Sequence, residues 1–157
     1  MAKDKKDSFK TVARNKKAAH DYILEDRLEA GIVLRGTEIK SVRAGDVSLK
    51  EAHVQISGEE AWLVNAHIAA YKAASVFNHD PRRRRKLLLH RREILRLDAK
   101  VRQRGYTIVP TRMYLKHGRA KVEIALARGK RKFDKRREIA ERDAARDVER
   151  SIARRRT

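Results

Sequence analysis

The sequence predicts a mainly β protein: a small antiparallel barrel with two or three flanking helices and a basic C-terminal tail that is disordered when free. Three features predict it. Apolar residues recur in about six short runs separated by turn signals. Two intervening segments carry apolar residues three and four apart, as a helix face requires. Residues 130–157 are dominated by charge, with few apolar positions.

Residues 1–13 are polar and aperiodic and read as a flexible basic arm, and residues 14–129 as the barrel. Tyr22-Ile23-Leu24 and Ile32-Val33-Leu34 read as two strands linked by an Ala30-Gly31 turn. Thr37 to Arg43 reads as a short helix, capped by Thr37 and ended by Gly45, with Ile39 and Val42 on one face. His53–Ile56 and Ala61–Val64 flank Ser57-Gly58-Glu59-Glu60 as a hairpin. Asn78 to Pro81 is a loop by composition, followed by the basic run Arg82 to Lys86 and the triplet Leu87-Leu88-Leu89. A helix then runs to Arg104, with Ile94, Leu97 and Val101 on one face and Gly105 as its stop. Tyr106–Leu115 and Ala120–Ala127 form a second hairpin across Lys116-His117-Gly118-Arg119, and Val122, Ile124 and Leu126 alternate as in a half-buried strand. RNA-binding barrels of this size include the OB-fold, so the barrel is expected to be OB-like. Beyond it, Asp134 is a plausible helix cap, but Ile139, Val148 and Ile152 make only a sparse stripe. The tail is therefore expected to fold on a polyanionic surface rather than on the barrel.

Hydrophobic residues make up 41% of the 157 residues, enough for one modest core, while 39% are charged and the net charge is +20. Such a charge repels itself, and nucleic acid is the compensating partner it points to, with an anionic membrane surface as the rival. No apolar run approaches the roughly 20 residues that span a bilayer, and Met1 to Lys17 lacks an apolar signal core. A cytoplasmic location is expected. Cysteine is absent, which excludes disulfides and thiolate chemistry. The charge is unevenly placed. Residues 18–80 carry 6 basic and 10 acidic groups, residues 81–127 carry 15 and 3, and residues 128–157 carry 13 and 6. Defined basic surfaces around a mildly acidic body follow, rather than a uniformly sticky chain.

Several strings stand in a distinctive order: Asn15-Lys16-Lys17-Ala18, Glu29-Ala30-Gly31-Ile32, Gly36-Thr37-Glu38-Ile39-Lys40-Ser41, Arg43-Ala44-Gly45, Arg85-Lys86-Leu87-Leu88-Leu89-His90, Gly105 to Pro110, then Gly129-Lys130 and Asp134-Lys135-Arg136. Over roughly residues 14–143 the chain resembles the small protein B (SsrA-binding protein) family. The resemblance implies an OB-like barrel that binds the tRNA-like domain of transfer-messenger RNA. It further implies delivery with elongation factor Tu, through the RNA, to a ribosome stalled without a stop codon, and a tail that probes the small-subunit decoding centre and becomes helical in the empty message channel. A monomer with no membrane association and no cofactor is expected. Family members often carry an aromatic near position 144, where this chain has Ala144, so a stacking role there is absent.

Each candidate residue has a functional and a plain reading. Lys16 and Lys17 would contact phosphates and Asn15 a base or sugar, or all three form a solvated flank. His20 would stack on an exposed base or is a satisfied strand histidine. Glu29 would accept from a base amino group, as the family's RNA-binding surface implies, or is a turn residue beside Gly31. Arg82, Arg85 and Lys86 would clamp phosphates or bases, or form a solvated loop. Leu88 would touch a splayed RNA loop or belong to the core. Gly129, Lys130, Asp134, Lys135, Arg136 and Arg137 match the family's entry to the ribosome-binding tail, the basic members facing ribosomal RNA. Nothing points to catalysis: the six histidines lack metal-ligand spacing, and His20-Asp21, if on a strand, point to opposite faces. A binding protein is therefore favoured over an enzyme, with a structural ribosomal protein or RNA chaperone as the nearer rival and an RNA-processing enzyme as the more distant one.

Overall fold

The computed structural model describes residues 9–73, 78–103, 105–130 and 132–155, with backbone alone at 132–141 and 154–155. The elements run β1 (Phe9–Arg14), α1 (Lys16–Asp21), β2 (Tyr22–Ile32), α2 (Gly36–Arg43), β3 (Val47–Ser48), β4 (His53–Ser57), β5 (Glu60–Val64), β6 (His67–Ile68), β7 (Arg85–Leu88), α3 (Arg91–Val101), β8 (Tyr106–Lys116), β9 (Arg119–Gly129) and α4 (Lys132–Arg155). Strands β8, β4, β5, β7, β2 and β9 pair in that order and β9 returns to β8, so the sheet closes on itself as the expected small barrel. Every pairing is antiparallel, and β1 adds to the distal half of β8 through Phe9↔Lys116 to Arg14↔Arg112.

Strand alternation fills the barrel. Ala30, Leu63, Leu87, Ile108, Met113, Val122, Ile124 and Leu126 point inward and are buried, and Val42 of α2 with Ile94 and Leu97 of α3 join the same core. The two expected hairpins form where glycines permit it: Gly58 (φ 62°) turns β4 into β5, and His117 with Gly118 (φ 52° and 77°) turns β8 into β9. Helix α3 ends before Gly105 at φ 90°, as its spacing predicted.

The structure corrects five readings. Residues 9–13 are not part of a flexible arm but lie in β1, because the long β8 extends past the barrel wall and offers an unpaired edge; residues 1–8 lie outside the described residues. Ala30-Gly31 is not a turn. Strand β2 runs unbroken through it, bulging instead at Asp26 (φ 49°), where the register against β9 slips between Glu25 and Leu28. Gly31 is small because Leu88 crosses it: a Cβ there would sit 3.2 Å from the Leu88 Cβ. Thr37 does not cap α2; its hydroxyl meets the buried His79 Nδ1 at 2.8 Å, and the Glu38 carboxylate accepts the Arg35 N–H at 2.9 Å instead. His20 and Asp21 lie in the last turn of α1, not on a strand, and their side chains meet at 2.9 Å. Helix α4 begins at Lys132, which puts Asp134 within its first turn rather than at the cap.

One buried ion pair ties the loops to the barrel. Arg85 points inward from β7 with no exposed surface, and its guanidinium donates to Glu38 of α2, to Ala66 O at 2.8 Å and to Pro81 O at 3.1 Å. Arg83 reaches the same carboxylate at 2.5 Å. Burial alone would raise the Glu38 pKa, but the bonds from Arg35 N–H, Arg83 and Arg85 outweigh it and hold the carboxyl below its ordinary value.

Candidate nucleic-acid interface

The inward alternation of β1, β8, β9, β2 and β7 leaves a second set of side chains on the outer face, where Phe9 and Arg112 in turn bury Tyr114. The rows Thr11↔Tyr114↔Lys121↔Gly31↔Leu88 and Arg112↔Glu123↔Glu29 run straight across the strands, so these residues share one face. Next to them stand Phe9 and Lys116, paired across β1 and β8, and Arg119 at the start of β9. Helix α1 crosses the other end of this face, burying Ala18 against Val109 and Ala127. Its Lys16 lines one recess with Arg27, Arg112 and Glu123. Glu29, Lys86, Leu88 and Lys121 line an open groove at the opposite end.

Acidic groups on this face are held by basic neighbours. Glu123 accepts from Arg27 Nη1 at 3.0 Å, Arg112 Nε at 3.0 Å and the Thr111 hydroxyl at 2.9 Å. Those bonds overcome the effect of burial and keep its carboxyl below the usual range. Glu29 is lowered chiefly by the Tyr114 hydroxyl, which donates to Oε2 at 2.6 Å, and further by Lys116 at 3.5 Å and Lys121. Desolvation, then the Glu29 carboxylate, push the Tyr114 phenol up, so the phenol stays protonated and donates. Glu29 is thus an ionised acceptor of fixed orientation within a basic surround.

The candidate residues divide. Glu29, Lys86 and Leu88 line one groove of this face and Lys16 a recess at its other end, and Leu88 is 55% exposed, which removes the core-packing reading. Lys17 turns from it toward Glu51, at 3.5 Å, and His20 stands exposed on α1 beside Asp21. Arg82 is exposed at the loop before β7, its guanidinium on Asn65 Oδ1 at 2.8 Å. Two candidates are internal. Asn15 is buried: its Oδ1 accepts from Ala18 N at 3.1 Å, its Nδ2 donates to Pro110 O at 2.9 Å, and it holds the start of α1 on β8. Arg85 is the buried partner of Glu38 and has no surface to offer a phosphate. Gly129 ends β9, and Lys130 N donates to Asp21 O at 3.0 Å, which fixes where the tail leaves the barrel. Asp134, Lys135, Arg136 and Arg137 fall in the first turns of α4, their side chains outside the described residues. Along the rest of α4, residues 142–153 are all exposed, Ala144, Val148 and Ile152 among them. Sequence reading missed Arg27, Arg112, Tyr114, Lys116 and Lys121. Their signal was available: each sits at an outward position of a strand whose inward positions are apolar.

A closed antiparallel barrel whose outer face joins aromatic, apolar and basic side chains around fixed acceptors is the form of an RNA-binding protein. Comparison with known proteins agrees. The family model for SmpB protein matches residues 12–154. The SsrA-binding protein of Thermobifida fusca is 58% identical over 153 residues, covering 98% of this chain and 96% of its own. That of Staphylococcus saprophyticus is 54% identical over 148 residues, covering 94% and 96%. A solved structure described as "tmRNA-SmpB: a journey to the center of the bacterial ribosome" superposes with a TM-score of 0.66 at 47% identity, over 76% of this chain and 85% of that one. The chain belongs to the SmpB protein family. Among the described residues, no helix is long and apolar enough to cross a membrane, and no group of three or more His, Asp or Glu side chains could hold a metal ion.

Proposed function

We propose that this chain binds transfer-messenger RNA and acts with it on stalled ribosomes in trans-translation, as a monomeric binding protein in the cytoplasm rather than an enzyme. The face running from Lys16 to Leu88 would hold the tRNA-like domain. The observation that carries this reading is the Glu29 carboxylate, fixed by Tyr114 and set beside Lys116 and Lys121. The cations supply attraction to phosphates, largely independent of sequence. An ionised acceptor, repelled by phosphates, is useful there only against a base amino group or sugar hydroxyl.

The tail is the second functional part. Helix α4 exposes Val148 and Ile152 and carries basic residues along its length, so little apolar burial holds it in the free protein. It would order fully in the decoding centre and empty message channel, with Lys130, Lys135, Arg136 and Arg137 facing ribosomal RNA. Elongation factor Tu would join through the RNA.

Truncation after Gly129 separates the two parts. The truncated chain should bind a tRNA-like RNA as the full chain does and should fail to support tagging on ribosomes stalled without a stop codon. Loss of RNA binding on truncation would refute this division of labour. In competition at physiological salt, tRNA-like RNA should displace the labelled RNA far better than a random duplex does. Equal displacement would favour a general RNA chaperone.

A further inference from the structure

Phe9 lies on the basic face with 47% of its surface exposed, yet its ring is held firmly. One side rests on Tyr114, with centroids 4.7 Å apart and planes 33° from parallel. The Arg112 guanidinium approaches both rings, 5.4 Å from the Phe9 centroid and 4.8 Å from that of Tyr114, and Tyr114 is buried while Phe9 stays open. Tyr114 is in turn fixed by its bond to Glu29. The pairings Phe9↔Lys116 and Thr11↔Tyr114 place Phe9 diagonally from Tyr114 and directly beside Lys116. A flat apolar surface is therefore held in place next to a cation and one bond removed from an ionised acceptor.

We propose that Phe9 is a stacking platform for an unpaired nucleobase of the bound RNA, with Lys116 placed for the adjoining phosphate. This rests on reading the face as the RNA-binding surface. The surroundings choose the occupant. An apolar protein segment laid on Phe9 would strip water from the Arg112–Glu123 and Lys116–Glu29 pairs and from Arg119 while offering them no anion. A nucleotide brings a π-face for the ring and an anion for the cations. Such stacking tolerates any base, so Phe9 would add affinity for unpaired nucleotides rather than sequence preference.

The test uses the full-length chain and two labelled RNAs: a tRNA-like hairpin transcript with unpaired loop nucleotides, and a blunt duplex of equal length without any. Phe9→Leu should bind the looped RNA about tenfold more weakly and the duplex nearly as wild type, whereas Phe9→Trp should restore binding to within about twofold, base–aromatic stacking being its source. The dependence of affinity on salt should be unchanged in Phe9→Leu, because no phosphate contact is lost, and should flatten in Lys116→Ala. Glu29→Gln serves as the control for the face itself. If Glu29→Gln weakens binding and Phe9→Leu does not, the platform is overturned while the face stands. Wild-type binding by both overturns the reading of the face. An equal loss on both RNAs, or Phe9→Trp as weak as Phe9→Leu, also overturns stacking. Should the leucine variant unfold early, the tryptophan variant and the salt slopes still decide the question.

Discussion

Removing the Glu38 carboxylate should be among the most destabilising single changes in the barrel. Glu38 has no exposed surface, and its oxygens take three donors: the Arg35 N–H, Arg83 and Arg85. In Glu38→Ala the Arg85 guanidinium stays in the interior with the carbonyls of Ala66, Asp80 and Pro81 for acceptors and no carboxylate bonded to it. An uncompensated buried charge of this kind costs roughly 3–5 kcal/mol. At about 2–4 °C per kcal/mol for a protein of this size, the unfolding midpoint should fall by about 6–20 °C. Urea unfolding at pH 7 reads the same loss. The reverse change, Arg85→Met, should cost less, because Arg83 and the Arg35 N–H still satisfy the carboxylate. The double change Glu38→Leu with Arg85→Met should recover most of the loss, since the pair is then replaced by apolar volume. Acid sharpens the test. The Glu38 pKa is lowered in the fold, so its contribution is complete above the unfolded value of 4.5 and fades as pH falls through the lower folded value. Glu38→Ala should therefore lose little further stability from this site below pH 4.5. A Glu38→Ala protein within 1 kcal/mol of wild type would refute the argument, as would a double variant no better than the single.

Three further outcomes are expected. Asn15→Ala should cost about 1–2 kcal/mol, as the loss of a helix N-cap does, and should weaken RNA binding only through the misplaced α1; chemical denaturation beside RNA titration of the surviving fold checks this. Gly31→Ala should displace Leu88, whose Cβ would lie 3.2 Å from the new methyl group. RNA affinity should fall by more than the small change in unfolding midpoint accounts for, and further replacement of Leu88 by Gly, which removes the crowding Cβ itself, should relieve the clash. Tyr114→Phe should raise the Glu29 pKa toward its ordinary 4.5, since the tyrosine hydroxyl is the main reason it is low. Glu29 would then lose its charge at a higher pH than in the wild type, and a carboxyl-carbon NMR titration reads the shift directly.

What was legible in the sequence was local. The hairpins β4–β5 and β8–β9 announced themselves through Gly58 and through His117-Gly118, because a two-residue reversal leaves little choice of residue. Helix α3 was visible from Ile94 and Leu97 and its glycine stop. The misreadings came where a partner far along the chain decides. Gly31 looked like a turn, but its small size answers to Leu88 on another strand. Phe9 to Arg14 lack a regular apolar pattern and gain a strand from the free edge of β8, with Val12 and Ala13 packed against the core. The candidate site was half legible for the same reason. Glu29 and Leu88 were named through family resemblance and face the surface together, whereas Asn15 and Arg85 carry polar groups that the fold spends on Pro110 and Glu38. Arg85 lies in a basic run, where composition says solvent. The alternation of Arg85 and Leu87 inward with Lys86 and Leu88 outward says otherwise, but only once β7 is known to be a strand.

Strand β8 hydrogen-bonds to β1, β4 and β9, and the pairing Phe9↔Lys116 joins the first of the nine described strands to the eighth. During synthesis, therefore, the amino-terminal strand waits for almost the whole domain to emerge before it finds its neighbour. Its docking depends on a contact distant in the chain, which places it late. Phe9, Arg112, Tyr114 and Glu29 come into register only at that last step. A nascent or truncated barrel would carry the same positive charge without the assembled surface, so the finished topology itself certifies that a protein able to grip its RNA is complete.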